Sequence, residues 1–151
     1  MKAVIQRVCR ASVTVDGQIT GRCDKGLLVL LGIARGDTEQ DARMMCEKIL
    51  KLRIFQDEKG KMNKSVADVG GKVLTVPNFT LLADCSGGNR PDLFGAEAPL
   101  RARELFESFL DYMKEQTGSA EAGVFGAEMA VELLNDGPVT IVLDSKIFKK
   151  R

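Results

Sequence analysis

The sequence predicts an α+β fold, with a largely antiparallel sheet or incomplete β-barrel flanked by two amphipathic helices. Three observations lead there: period-two apolar runs at both ends of the chain, two stretches with helical spacing between them, and no internal repeat or linker separating them. At 151 residues the chain has one domain's length, enough to bury roughly two-thirds of its unfolded surface, so residues 1–151 are read as a single domain.

Residues 2–8 and 12–15 alternate as strands do, and Asp16-Gly17 is a two-residue hairpin signal leading into Gln18, Ile19 and Thr20. GLLVLLGIA, at 26–34, is a continuous apolar run too short for a buried helix and suited to a central strand. Asp37 followed by Gln40 resembles a capping box. Ala42, Met45, Cys46, Ile49 and Leu50 then share one face of a first helix ending near Leu52. The polar stretch 56–72 is a hairpin or loop, and VLTVPNFTLLA is a strand interrupted at Pro77, where the chain meets an edge or a bulge or leaves the ladder. CSGGNRPDLFGAEAP, at 85–99, is a long Gly/Pro-rich loop carrying Arg90 and Phe94, of a length often tied to function. Ala102, Leu105, Phe106, Phe109, Leu110 and Met113 mark a second helix over about 100–117, closed by Gly118. VFGAEMAVELLND and PVTIVLDS are read as the last two strands, meeting in a turn at NDGPVT.

Composition removes several classes of function. Apolar and charged fractions of 44% and 28% are those of a globular protein, and no apolar run reaches the length of a membrane span. MKAVIQRVCR lacks the apolar centre of a signal peptide, which points to a cytoplasmic protein. The four cysteines are scattered and histidine is absent, so no zinc site or other metal is expected, and Ser-His or Cys-His activation of a nucleophile is unavailable. The thiols read as core or ordinary residues. Net charge near +1 gives no global field for nucleic acid, although the tail Lys146, Lys149, Lys150 and Arg151 is locally basic.

Two segments stand out, NFT at 78–80 after Pro77 and NDGPVT at 135–140, because each ends a strand beside a proline and offers hydroxyl and backbone donors. Neither Thr80 nor Thr140 has a base at an identifying spacing, and both also suit ordinary strand packing.

GLLVLLGI, RIFQDEKGKMNKSV at 53–66, NFTLLAD at 78–84, GNRPDLF at 88–94, GVFGAEMAVELLNDGPVT at 123–140 and LDS at 143–145 together closely resemble the D-aminoacyl-tRNA deacylases, collinearly over nearly the whole chain. The resemblance implies a cytoplasmic homodimer, without cofactor, that hydrolyses the ester joining a D-amino acid, or mischarged glycine, to the tRNA 3′ end. It implies that Gly137-Pro138 is a Gly-cis-Pro motif inserted into the partner's active site, where rigid backbone collides with the side chain of an L-amino acid, a form of specificity by exclusion. Asn135 and Thr140 would anchor that motif. Catalysis would come from backbone N–H groups near Phe79 and Thr80, worth roughly 3 to 4 kcal/mol each in acyl transfer, with help from the substrate 2′-OH. Asn78, Phe125, Gly126, Ala127 and Met129 would lie around the adenosine or aminoacyl pocket, while core packing is the other reading of both phenylalanines. One departure is visible: the family's Ser-Gln-Phe-Thr is Pro77-Asn78-Phe79-Thr80 here, which removes a hydroxyl and an N–H and shortens an amide side chain. The alternatives are editing of L-alanyl-tRNA, as in a related paralogue with proline at that place, a catalytically silent tRNA-binding dimer, and a small-molecule ester or amide hydrolase.

Overall fold

The computed structural model describes residues 1–148; Lys149, Lys150 and Arg151 of the basic tail lie outside the described residues. The chain runs β1 (Lys2–Val15), β2 (Gln18–Cys23), β3 (Gly26–Gly32), α1 (Glu39–Lys51), β4 (Phe55–Gln56), β5 (Met62–Lys64), β6 (Lys72–Pro77), a 3-10 turn (Phe79–Leu82), α2 (Pro99–Thr117), β7 (Glu121–Ala122), β8 (Ala130–Asp144) and α3 (Ser145–Phe148).

The long strand β1 organises the sheet. One edge pairs antiparallel with β3 through Lys2 to Val8 and with β2 through Ala11 to Val15; the other pairs antiparallel with β8 from Lys2↔Asp144 to Thr14↔Ala130. Beyond β3 the sheet becomes parallel, β3 to β6 and β6 to β7. A β3–α1–β6 crossover requires this direction, because a helix returns the chain to the end it left. The sheet is therefore mixed, and it curls back on itself: β2 passes so close to β7 that a Cβ on Gly21 would lie 2.4 Å from the Ala122 carbonyl oxygen. The result is a nearly closed barrel with α1 and α2 packed on one side.

β3 explains its own sequence. Successive side chains point to opposite faces, so Leu27, Val29 and Leu31 meet Met45, Cys46 and Ile49 of α1 and Leu105, Phe106 and Phe109 of α2, while Leu28 packs with Val8, Val13, Leu74 and Val76. Both faces are covered, hence an apolar run without alternation.

Several boundaries differ from the sequence reading. The N-cap of α1 is Thr38, not Asp37: the Thr38 hydroxyl accepts from the Asp41 amide (3.3 Å) and the Asp41 carboxylate accepts from the Thr38 amide (2.8 Å). Asp37 is drawn elsewhere, to the buried Met1 ammonium at 2.7 Å and the Ala34 amide at 2.7 Å. β6 ends at Pro77 and, after Asn78 as its cap, FTLL forms the 3-10 turn, because proline cannot donate to a further ladder rung. Residues 124–129 form a loop, and β8 begins at Ala130. NDGPVT joins no two strands: β8 is continuous, and the motif is a bulge within it. Nothing in the sequence signals the short β7 or α3; of LDS, Leu143 and Asp144 end β8 as expected and only Ser145 passes into α3. Gly118, at φ 82°, does close α2 as expected.

The thiols divide by burial. Desolvation, reinforced by neighbouring Asp24, pushes the Cys23 thiol up to about 11; desolvation and Glu47 push Cys46 up to about 12. A buried, protonated thiol is inert, whereas Cys9 and Cys85 are exposed. A colorimetric thiol reagent at pH 8 should therefore titrate Cys9 and Cys85 in the native protein and all four cysteines after denaturation.

Candidate active site

The C-terminal end of β6 opens onto a cavity of about 740 Å³. β3 contributes Leu28, Leu30 and Leu31 to its wall; the β6 end contributes Val76 and Pro77; the 3-10 turn and its cap contribute Phe79 and Asn78. The loop before β8 supplies Phe125, Gly126, Ala127, Glu128 and Met129, and α2 supplies Pro99 and Ala102. Of the residues expected around the site, Asn78, Phe79, Phe125, Gly126, Ala127 and Met129 thus share one wall. Thr80 follows immediately but is not among the lining residues.

The turn is set by β3. The Asn78 amide donates to the Leu31 carbonyl at 2.8 Å, and Gly32 leaves room for the turn, since a Cβ there would come within 2.9 Å of the Asn78 carbonyl oxygen. Leu81 and Ala83 donate back to Asn78 and Thr80, so the two amides with no acceptor inside the turn are those of Phe79 and Thr80, the usual orphans of a helical first turn. Phe79 itself is 59% exposed and not a core residue. Phe125 packs on Phe106, ring centroids 6.0 Å apart, with the Arg103 guanidinium 5.5 Å over its ring.

The Thr80 hydroxyl donates to Asn78 Oδ1 at 2.5 Å. A carboxamide is no base, so this arrangement does not activate the hydroxyl as a nucleophile. Glu97, a carboxylate on the cavity wall, is held below the usual carboxylate range, first by the Ala98 amide and then by that of Gly36. It is ionised and correspondingly weak as a proton acceptor. The polar side chains of the lining are Gln6, Asn78, Glu97 and Glu128, set among mostly apolar neighbours.

Sequence reasoning missed Gln6, Leu28, Leu30, Glu97 and Ala102 as wall residues. For Leu28 and Leu30 the reason is that strand positions facing a cavity carry the same apolar signature as those facing a core, and no local signal separates them.

The β8 bulge does not line this cavity, although β8 contributes Val131 and Leu133 to it. Gln6 pairs with Thr140 and Val8 with Asn135, so residues 136–139 stand opposite Arg7 alone. Asn135 Nδ2 closes the neck, donating to the Arg7 and Val139 carbonyls at 3.0 Å each. Buried Arg7 braces it from below: Nε donates to the Asp136 carbonyl at 2.9 Å and Nη1 to the Ile54 carbonyl at 2.7 Å. The Gly137-Pro138 peptide is cis, both residues are exposed, and neither they nor Asn135 and Thr140 line the cavity of their own chain.

Residues 4–144 match the family model described as D-Tyr-tRNA(Tyr) deacylase. The D-aminoacyl-tRNA deacylase of Anaeromyxobacter dehalogenans is 55% identical over 97% of this chain and 98% of its own, and that of Deinococcus radiodurans is 53% identical over 95% and 99%. Among solved structures, that of a c-Myc DNA unwinding element binding protein is 44% identical with a TM-score of 0.89, covering 95% of this chain and 98% of its own. That of a probable eukaryotic D-amino acid tRNA deacylase superposes with a TM-score of 0.78 at 15% identity over 94% and 97%, a likeness of fold.

Proposed function

The chain belongs to the D-Tyr-tRNA(Tyr) deacylase family, and from that premise we propose how its site works and which esters it takes. It is a D-aminoacyl-tRNA deacylase; in our reading it acts as one domain in the cytoplasm, needs no cofactor, and cleaves D-aminoacyl and mischarged glycyl esters at the tRNA 3′ end.

The observation that carries the reading is the separation of two parts. One is a largely apolar cavity whose wall includes Phe79, the first of the two residues with orphan amides, and which holds no activated nucleophile. The other is a braced, exposed backbone bulge, Gly137-Pro138, that does not line it. The amides hold the developing oxyanion, and the substrate's 2′-OH assists from the ribose. Asn78, Phe125, Gly126, Ala127 and Met129 hold the adenosine and aminoacyl groups. The bulge serves a second copy: β8 pairs only with β1 among the described residues, leaving its outer edge and exposed Leu134 and Val142 for a partner. In the homodimer Gly137 and Pro138 enter the partner's cavity, where fixed backbone excludes the side chain of an L-residue and lets glycine pass. Asn135 and Thr140 anchor the bulge at its two ends.

Parallel deacylation of D-Tyr-, L-Tyr-, Gly- and L-Ala-tRNA tests this. Loss of the D and glycyl esters with L-tyrosyl spared is expected. Preferential cleavage of L-alanyl-tRNA would assign the chain the paralogue's task, for which Pro77-Asn78 is the sequence argument. Binding without turnover would make it a silent module. Thr80→Ala should keep kcat/KM within about tenfold of wild type if backbone and 2′-OH carry the reaction; a drop of about a millionfold, as for a deleted nucleophile, with a trapped acyl-enzyme would reject that mechanism.

A further inference from the structure

We propose that Phe94, capped by Arg35, is a stacking platform for the unpaired base next to the terminal adenosine of the tRNA; the inference rests on the tRNA-end reading of the cavity. Phe94 is 74% exposed, yet its loop is firmly tied. Asp84 and Asp92 exchange two backbone hydrogen bonds (2.8 and 2.9 Å), Arg35 N donates to the Gly95 carbonyl (3.0 Å), Glu97 N to the Ile33 carbonyl (3.0 Å), and Ala34, Leu82 and Ala96 form a small core beneath. Phe94 is held in water by a constrained loop and belongs to none of the buried clusters among the described residues.

Arg35 fixes the ring. Its guanidinium stands 4.4 Å from the Phe94 centroid, and Nε donates to the Phe94 carbonyl. One ring face is thereby capped by a cation and the other left for a planar group. An aromatic platform beside guanidinium groups is how proteins hold single-stranded nucleic acid without reading its sequence.

Position and charge select the occupant. Ala96, Glu97 and Pro99, just beyond Phe94 in the chain, line the cavity, which sets this loop beside it and within reach of a chain that continues from the terminal adenosine. Arg35, Arg90 and Arg103 form no ion pair among the described residues, whereas Arg101 is engaged by Glu104 at 3.0 Å. An exposed ring capped by the Arg35 guanidinium, which has no carboxylate partner among the ion pairs of the described residues, suits a phosphodiester strand. It does not suit an apolar protein surface, in which such a charge would be buried unpaired.

The test uses a non-hydrolysable CCA trinucleotide analogue with 2-aminopurine at the penultimate position, beside adenosine alone. Stacking should quench the wild-type complex. Phe94→Ala should bind the trinucleotide roughly tenfold more weakly, with adenosine binding unchanged and Phe94→Tyr close to wild type. Equal binding by wild type and Phe94→Ala, equal loss for adenosine, or no trinucleotide binding at all would overturn the platform. So would a change in the sedimentation of Phe94→Ala, which would make this face a contact between copies. Deacylation of D-Tyr-tRNA is scored separately: its absence in the wild type would remove the enzymatic reading, while trinucleotide binding would still decide for or against the platform.

Discussion

Gly137→Ala is expected to collapse the discrimination between D- and L-aminoacyl esters while leaving the protein folded. A Cβ on Gly137 would lie 2.1 Å from the Val139 nitrogen and 2.5 Å from Asn135 Oδ1. Neither neighbour can withdraw freely, because Asn135 is the clasp of the bulge, bonded to the Arg7 and Val139 carbonyls. The backbone of the bulge must therefore shift while Arg7, anchored on Ile54, still holds its base. Displacing a recognition surface by about 1 Å can cost on the order of a hundredfold, and the ratio of kcat/KM for D-Tyr-tRNA to that for L-Tyr-tRNA should fall by about that factor. The bulge is exposed, so overpacking it costs roughly 1–3 kcal/mol or less, a few degrees in Tm. An unchanged ratio would take residues 136–139 out of substrate recognition and leave selectivity to the cavity wall.

That bulge also marks where the sequence could be read and where it could not. Asn, Asp, Gly and Pro in succession say that the backbone departs from regular structure, and at 135–138 it does. They do not say whether the chain reverses or merely steps out of its strand. What decides is remote: an unbroken β1 that pairs on both sides of the motif, and an Arg7 able to satisfy the Asp136 and Ile54 carbonyls at once. The displaced α1 cap has the same origin, since Asp37 is claimed by the Met1 ammonium from the other end of the chain. Local patterns with local causes were legible: the central apolar strand, both helices and their buried stripes, and the Gly118 cap. Pro77 showed that the chain leaves the ladder but not that it coils into a 3-10 turn, whose room depends on Gly32 in a different strand. The cavity residues named in advance came from family likeness. Gln6, Leu28 and Leu30 become wall residues only through the curvature of the sheet.

Phe109→Ala should produce the largest loss of stability. Phe109 is fully buried on α2, among the residues through which both helices pack on β1 and β3. Truncating such a ring costs about 3–5 kcal/mol, through lost burial and an incompletely collapsed void. For a chain of this length, 2–4 °C per kcal/mol gives a fall in Tm of roughly 6–20 °C, read by calorimetry or far-UV circular dichroism. The consequence reaches the site because α2 serves both purposes: its buried stripe closes the core, while Pro99 and Ala102 in its first turns line the cavity and Arg103 covers Phe125. Well below the new midpoint the variant should still deacylate its substrate, with activity disappearing at the same lowered temperature as the helix signal. Phe109→Leu, which leaves a smaller void, should recover most of the difference. A Phe109→Ala protein with native Tm but lost activity would mean that α2 contributes to the chemistry rather than to the scaffold, contrary to the geometry of its buried face.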